Sequence, residues 1–173
     1  MRAGQPRRVY LDTMILAYHL GSPSGAAVLN RNLNFLTKIS ARQVVGIVST
    51  FTVAECISVL AKAHAERNGT APTLVQLAQA KEKIEQFIRS MGIELEDSDA
   101  LCFDPNGNVN VFARTVQLEL TSPPALGRDR KWRTFGGADV LHVIFAERSD
   151  ADDFATFDEG FRNMNSQVVP VLL

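Results

Sequence analysis

Histidine and cysteine are scarce in this chain, and their scarcity removes several kinds of chemistry. The three histidines, His19, His64 and His142, are scattered, and Cys56 and Cys102 lack metal-ligand spacing. A structural zinc site therefore has almost no ligands to draw on. Two cysteines do not form a disulfide framework of the secreted type, so each is expected as a free, buried thiol in a reducing compartment. Long apolar runs are missing as well: none approaches the roughly 20 residues that span a membrane. The opening stretch, "MRAGQPRRVYLD", carries basic residues but no apolar signal segment. A cytoplasmic protein with no membrane is the expectation. Nor is one sign of charge in excess: 18 Lys and Arg stand against 19 Asp and Glu, for a net charge of −1. That balance argues against a protein that coats nucleic acid through bulk positive charge, while leaving room for a local basic patch.

What is present reads as an ordinary globular chain. Its 173 residues, 46% hydrophobic and 21% charged, are enough for one domain (1–173) with a real core. Strand and helix signals alternate. "RRVYL" reads as a short buried strand, with a helix beginning at Asp12. "GSPSG" is a loop by composition, and "AAVLNRNLNFLTKI" has near-helical apolar spacing. "VVGIVS" (44–49) is continuous and β-branched, as in a strand buried on both faces. "TVAECISVLAKAHAERNG" is a helix stopped at Asn68-Gly69. "PTLVQLAQAKEKIEQFIRSMG" is another, with proline in its first turn and Gly92 at its end. "IELE" reads as a short strand, the region of Asp97, Asp99 and Asp104 as turns, and "VNVFARTVQLEL" as a helix whose Val-rich start also permits a strand. The segment 121–137 is irregular. "ADVLHVIFAERS" is a helix, "DDFATF" a strand, and "QVVPVLL" a closing strand whose Pro170 suits a sheet edge. Short strands separated by helices mean crossover connections, hence an α/β fold with a mostly parallel sheet.

Ligand sites in such sheets form outside the carboxyl ends of the strands, and acids occupy four strand–helix junctions. Asp12 closes the first strand. Glu55 lies in the first turn after "VVGIVS". Asp158 closes the "DDFATF" strand, and Asp139 begins the helix leading into it. Each has a plain alternative role, because aspartate is a preferred N-cap and first-turn acids favour the helix dipole. Thr52 to Glu55 even spells a capping box. Two features favour a shared site. Gly136-Gly137 before Asp139 permits close backbone approach, and all four junctions carry an acid where Ser, Thr or Asn would cap equally well. Clustered carboxylates repel, and a hard divalent cation removes that penalty. Oxygen-only ligands favour Mg²⁺ or Mn²⁺ over zinc, and a cation so held serves phosphodiester hydrolysis without a histidine base or a nucleophilic serine.

In this order, "VYLDTMILAY", "STFTVAECISVL", "GGADVLHVIFA" and "FATFDEGF" resemble the motifs of PIN-domain nucleases, including the VapC-like toxins of toxin–antitoxin pairs. The resemblance spans Val9 to Phe161. It implies a three-layer α/β/α fold and makes Asp12, Glu55, Asp139 and Asp158 the acidic quartet that binds Mg²⁺ or Mn²⁺ for endoribonuclease cleavage. Thr13 and Thr156 match the family's small polar residues beside the first and last acids, where a hydroxyl orients a carboxylate or the attacking water. It further implies an RNA substrate, a protein antitoxin and a homodimer. Met14 departs from the family's usual Asn or Ser, and residues 97–137 form a longer, loop-rich insertion than many toxin versions carry.

"GRDRKWR" concentrates Arg128, Arg130, Lys131 and Arg133 around Trp132, just before Asp139. Cations to neutralise phosphates and an indole to stack on an unpaired base would make it a substrate-binding segment; a solvated loop with its tryptophan packed inward is the plainer reading. Asp152 and Asp153 are expected at the surface, and His142 in the core or in a simple hydrogen bond. Two other classes stand beside the nuclease. One is a catalytically silent module of the same fold that binds RNA or protein. The other is an aspartyl-nucleophile phosphotransferase at Asp12, which typically needs an acid where Met14 stands.

Overall fold

The computed structural model describes residues 5–102, 111–127, 130–133 and 136–173, the side chains of Phe112 and Trp132 excepted. Asp104 and Arg128 therefore lie outside the described residues. Five parallel strands form the central sheet in the order β3-β2-β1-β6-β7, where β1 is Arg7–Leu11, β2 Val44–Ser49, β3 Glu94–Glu96, β6 Asp153–Thr156 and β7 Val169–Leu172. Helices cover both faces, giving a three-layer α/β/α architecture: the alternating signals predict its parallel sheet, and the motif resemblance its three layers. Among the described residues no helix is long and apolar enough to cross a membrane.

Alternation along the strands builds a core on each face, because successive side chains of a strand point opposite ways. Val9, Leu11, Val48 and Ala155 face one core with helices α1 (Thr13–His19), α2 (Ala26–Ser40), α3 (Thr50–Asn68) and α4 (Leu74–Met91). Tyr10, Ile47 and Phe154 face the other, against α7 (Ala138–Arg148) and Leu118 of α6 (Val111–Thr121). Pro170, which has no N–H to donate, lies in edge strand β7 as expected.

Several local expectations are corrected. The capping box of α3 is not Thr52 to Glu55. Ser49 is the N-cap, its hydroxyl accepting from the Thr52 backbone while the Thr52 side chain bonds back to the Ser49 backbone. Glu55 thus belongs to the second turn, beyond the helix's unsatisfied N–H groups. Pro72 precedes α4 rather than joining its first turn; Thr73 is the N-cap, paired with Gln76. Residues Ser98–Leu101 form a one-turn helix, α5, capped by the Asp97 carboxylate. The stretch 121–137 is not wholly irregular: β4 (Ala125–Leu126) and β5 (Trp132–Arg133) pair antiparallel. Their turn is tied by Gly127 N–H to Lys131 O, 2.9 Å, with Arg130 in the left-handed region at φ 62°. The pair packs on the 3₁₀ helix Glu159–Asn163 that follows β6. Finally, Asp153 is buried, and Arg7 bonds its carboxylate at 2.6 Å; only its neighbour Asp152 is at the surface, accepting from Arg8 N–H.

Candidate functional site

The strand order reverses between β1 and β6, so the crevice beyond their carboxyl ends is the switch point where open α/β sheets take ligands. Asp12 follows β1 directly, and its N–H continues the ladder to Ala155 O at 3.0 Å. Asp158 lies two residues beyond β6. Helix α7 runs back against the sheet, which brings Asp139 in its first turn to the same edge. Glu55 arrives from α3, the helix that leaves β2.

Asp12 is N-cap to α1 by position, yet its carboxylate makes no capping bond. It is buried, and accepts instead from Thr156 Oγ1 at 2.6 Å. The same Thr156 oxygen accepts the Asp158 N–H at 2.9 Å, so one buried hydroxyl holds two of the acidic segments in register. Asp158 does cap, taking the Gly160 N–H at 2.7 Å. Glu55 is half-buried and held from two sides, by the Thr13 hydroxyl and by His142 Nε2 at 2.6 Å. An ionised carboxylate only accepts, so His142 carries its proton on Nε2. Its Nδ1 is buried with no partner among the described residues, and lies among the rings of Tyr10, Phe51 and Phe154. Below, Tyr10 Oη bonds Ser49 Oγ at 2.6 Å and Thr52 Oγ1 at 3.0 Å, which fastens the first turn of α3 to β1.

The electrostatics tie the acids together. Asp139 is pushed up to about 6, by burial first and then by the charges of Asp158, Asp12 and Glu55, against a smaller opposing effect of His142. Burial likewise raises Asp12, with His142 and the Thr156 bond working against it. Glu55 is held below its ordinary value, chiefly by the His142 hydrogen bond. One acid thus feels the three others, from segments far apart in sequence.

Asp139 and Asp12, whose proton affinity burial and neighbouring carboxylates raise, are oxygen donors of the kind whose repulsion a hard divalent cation relieves. Among the described residues no group of three or more His, Cys, Asp or Glu is placed to hold a metal ion as the side chains stand.

Of the basic segment, Arg130, Lys131 and Arg133 are exposed, and Arg133 reaches a cleft that Asp158 also lines. The two glycines before Asp139 serve a purpose other than close approach. Among the described residues an added Cβ on Gly137 would meet nothing within 4 Å, but the residue has φ 61° and ψ −125°, a conformation open to glycine. His142 is the contributor that sequence reasoning undervalued; its place one turn after Asp139, on the same helix face, was the available signal. Ser49 is a second, visible only once the helix start is known. No family model matches this chain, and no curated protein matches it.

Proposed function

We propose that the protein is a metal-dependent ribonuclease that hydrolyses RNA phosphodiester bonds, with Asp12, Glu55, Asp139 and Asp158 holding Mg²⁺ or Mn²⁺. The observation that carries this reading is the gathering of four acids at the switch-point crevice, with Asp139 raised to about 6 by burial and by the other three. Such a cation, when bound, polarises the phosphate and makes water nucleophilic near neutral pH. The chain's own groups do the positioning. Thr156 orients the Asp12 carboxylate, and Thr13 with His142 fixes Glu55 in its ionised form. Asp139 holds a proton on its carboxyl oxygen in acid and yields it toward neutrality.

The test is a time course on end-labelled structured RNA with Mg²⁺, with Mn²⁺ and with EDTA, Asp139→Asn running beside the native protein. Metal-dependent cleavage lost in the variant is expected. One feature favours a second reading, a catalytically silent module that binds RNA or protein: Glu55 is already committed to Thr13 and His142. No cleavage by either protein, together with no bound metal, would establish that alternative. The motif resemblance extends the proposal to a cytoplasmic toxin with an antitoxin partner and a homodimeric form. Induced expression should then arrest growth for the native chain and not for Asp139→Asn; equal growth of the two strains rejects the toxin role.

A further inference from the structure

Beside the acids lies a cleft of about 440 Å³, within the roughly 300–1,000 Å³ typical of small-molecule sites. Its walls carry Met14 and Tyr18 from α1, Arg31 from α2, Arg133 from β5, and Phe157 and Asp158 from the turn after β6. Phe157 stands at the centre. Tyr18 meets its ring edge-on, with centroids 5.3 Å apart and planes at 69°. The Arg31 guanidinium lies over the same ring, 5.7 Å from its centroid. Arg31 is exposed, and Tyr18 and Phe157 are half-buried, so solvent reaches this cluster.

The cleft and the acids share a wall. Phe157 is the one residue between Thr156 and Asp158, and Met14 is two residues from Asp12. The Asp12 charge reaches Tyr18, whose hydroxyl it helps burial to hold above the ordinary value. One cleft thus brings a guanidinium and aromatic rings together with a second arginine and the Asp158 carboxylate, groups that match the parts of one nucleotide beside the acids. A base stacks on an aromatic ring or a guanidinium plane, and arginine pairs with phosphate.

We propose that this cleft is the subsite for an unpaired nucleotide flanking the bond that the acids cut, its base taken by Phe157 and Arg31 and its phosphate by Arg133. The statement rests on the ribonuclease reading for the cut, but not for the binding. A base inside a duplex is already stacked on its neighbours and cannot enter, so the site selects single-stranded segments. Met14 then has a role that Asn or Ser would not fill, as an apolar wall of the base site.

The test uses a single-stranded ribo-oligonucleotide carrying one 2-aminopurine, and the same strand in a duplex, titrated in EDTA so that no cleavage intervenes. Saturable quenching with the single strand is expected, and little with the duplex. Phe157→Leu, which keeps apolar volume but removes the ring, should weaken single-strand affinity roughly tenfold. Arg31→Gln, an exposed change that leaves folding untouched, should do the same. Affinity unchanged in Arg31→Gln and Phe157→Leu overturns the subsite, as does equal binding of duplex and single strand. Cleavage is scored separately. Stacking lost in the variants without any Asp139-dependent cleavage keeps the subsite and removes the ribonuclease; cleavage without stacking does the reverse.

Discussion

Thr156 is a single hydroxyl on which two acids depend. It gives its proton to Asp12 and takes one from the Asp158 backbone, in a place closed to solvent. Thr156→Val keeps the shape and removes both bonds, taking one donor from a buried carboxylate and the acceptor from an N–H. A loss of about 1–3 kcal/mol in urea unfolding is expected, along with a large fall in cleavage, while Thr156→Ser restores most of both. Equal stability of the Val and Ser variants would show that the hydroxyl holds nothing. Asp139 gives a second prediction, in pH. Its folded value of about 6 lies above the roughly 3.9 of an unfolded aspartate, so the folded state favours the protonated form. The native chain's stability relative to Asp139→Asn is therefore full below the unfolded value and declines as pH rises through the folded one. Measured without metal, the variant's advantage in urea midpoint should open between about pH 4 and pH 6 and then level off. A gap independent of pH would mean that the carboxyl is not perturbed.

Helix α7 delivers Asp139, and its entry depends on one backbone conformation. Gly137 sits at the N-cap with positive φ, and none of the described residues stands within 4 Å of where a Cβ would go. Gly137→Ala should therefore cost of order 1–3 kcal/mol through strain alone and displace the first turn. An added Cβ on Gly136 would meet only Glu119 Oε1, at 3.7 Å. Gly136→Ala should melt close to the native protein and cleave as well; if both variants melt alike, φ at Gly137 is not the constraint. The contrast also shows where sequence reading stopped. A Gly-Gly pair announces a backbone need without saying which glycine has it, or whether the need is space or dihedral. The main helices and the sheet strands were legible because their apolar periods and stop signals are strong, as at Asn68-Gly69 and Gly92. The start of α3 was not, because Ser49 reads equally well as the last residue of β2, and a Glu three residues after Thr52 completes the commoner capping pattern. β4 and β5 escaped notice because two-residue strands have no period to detect.

At the scale of the whole molecule, the sheet separates two cores and gathers acid at one edge. Much of that edge was legible from connectivity: a helix that leaves a parallel strand starts at the strand's carboxyl side, where Asp12 and Asp158 stand, and Asp139 begins a helix at the same edge, while Glu55 lies one turn further into α3. The pairings at that edge were not legible, since the Glu55–His142 bond joins residues 87 apart in sequence and depends on α3 and α7 both reaching it. Nor was the cleft: Tyr18 and Phe157 lie within two of the motif stretches, but Arg31 lies outside them, and nothing in the sequence says that the three side chains meet. The architecture has a thermodynamic consequence. Near neutral pH the folded chain holds mutually repelling carboxylates that the unfolded chain would separate, so any cation relieving them binds the folded state preferentially. Linkage then requires stabilisation, about 2.7 kcal/mol when free cation exceeds its dissociation constant a hundredfold. Mn²⁺ or Mg²⁺ should raise the melting temperature relative to EDTA. The increment should be larger at about pH 7.5 than at about pH 5, where protons on Asp139 compete with the metal. Asp158→Asn, which leaves the buried Asp12–Thr156 bond alone, should shrink the increment at both. Calcium-free salt at matched ionic strength separates this from screening, because sodium lessens repulsion without a saturable midpoint. A melting temperature indifferent to both divalent ions would leave the acids as a charged rim of the fold and remove the metal from its chemistry.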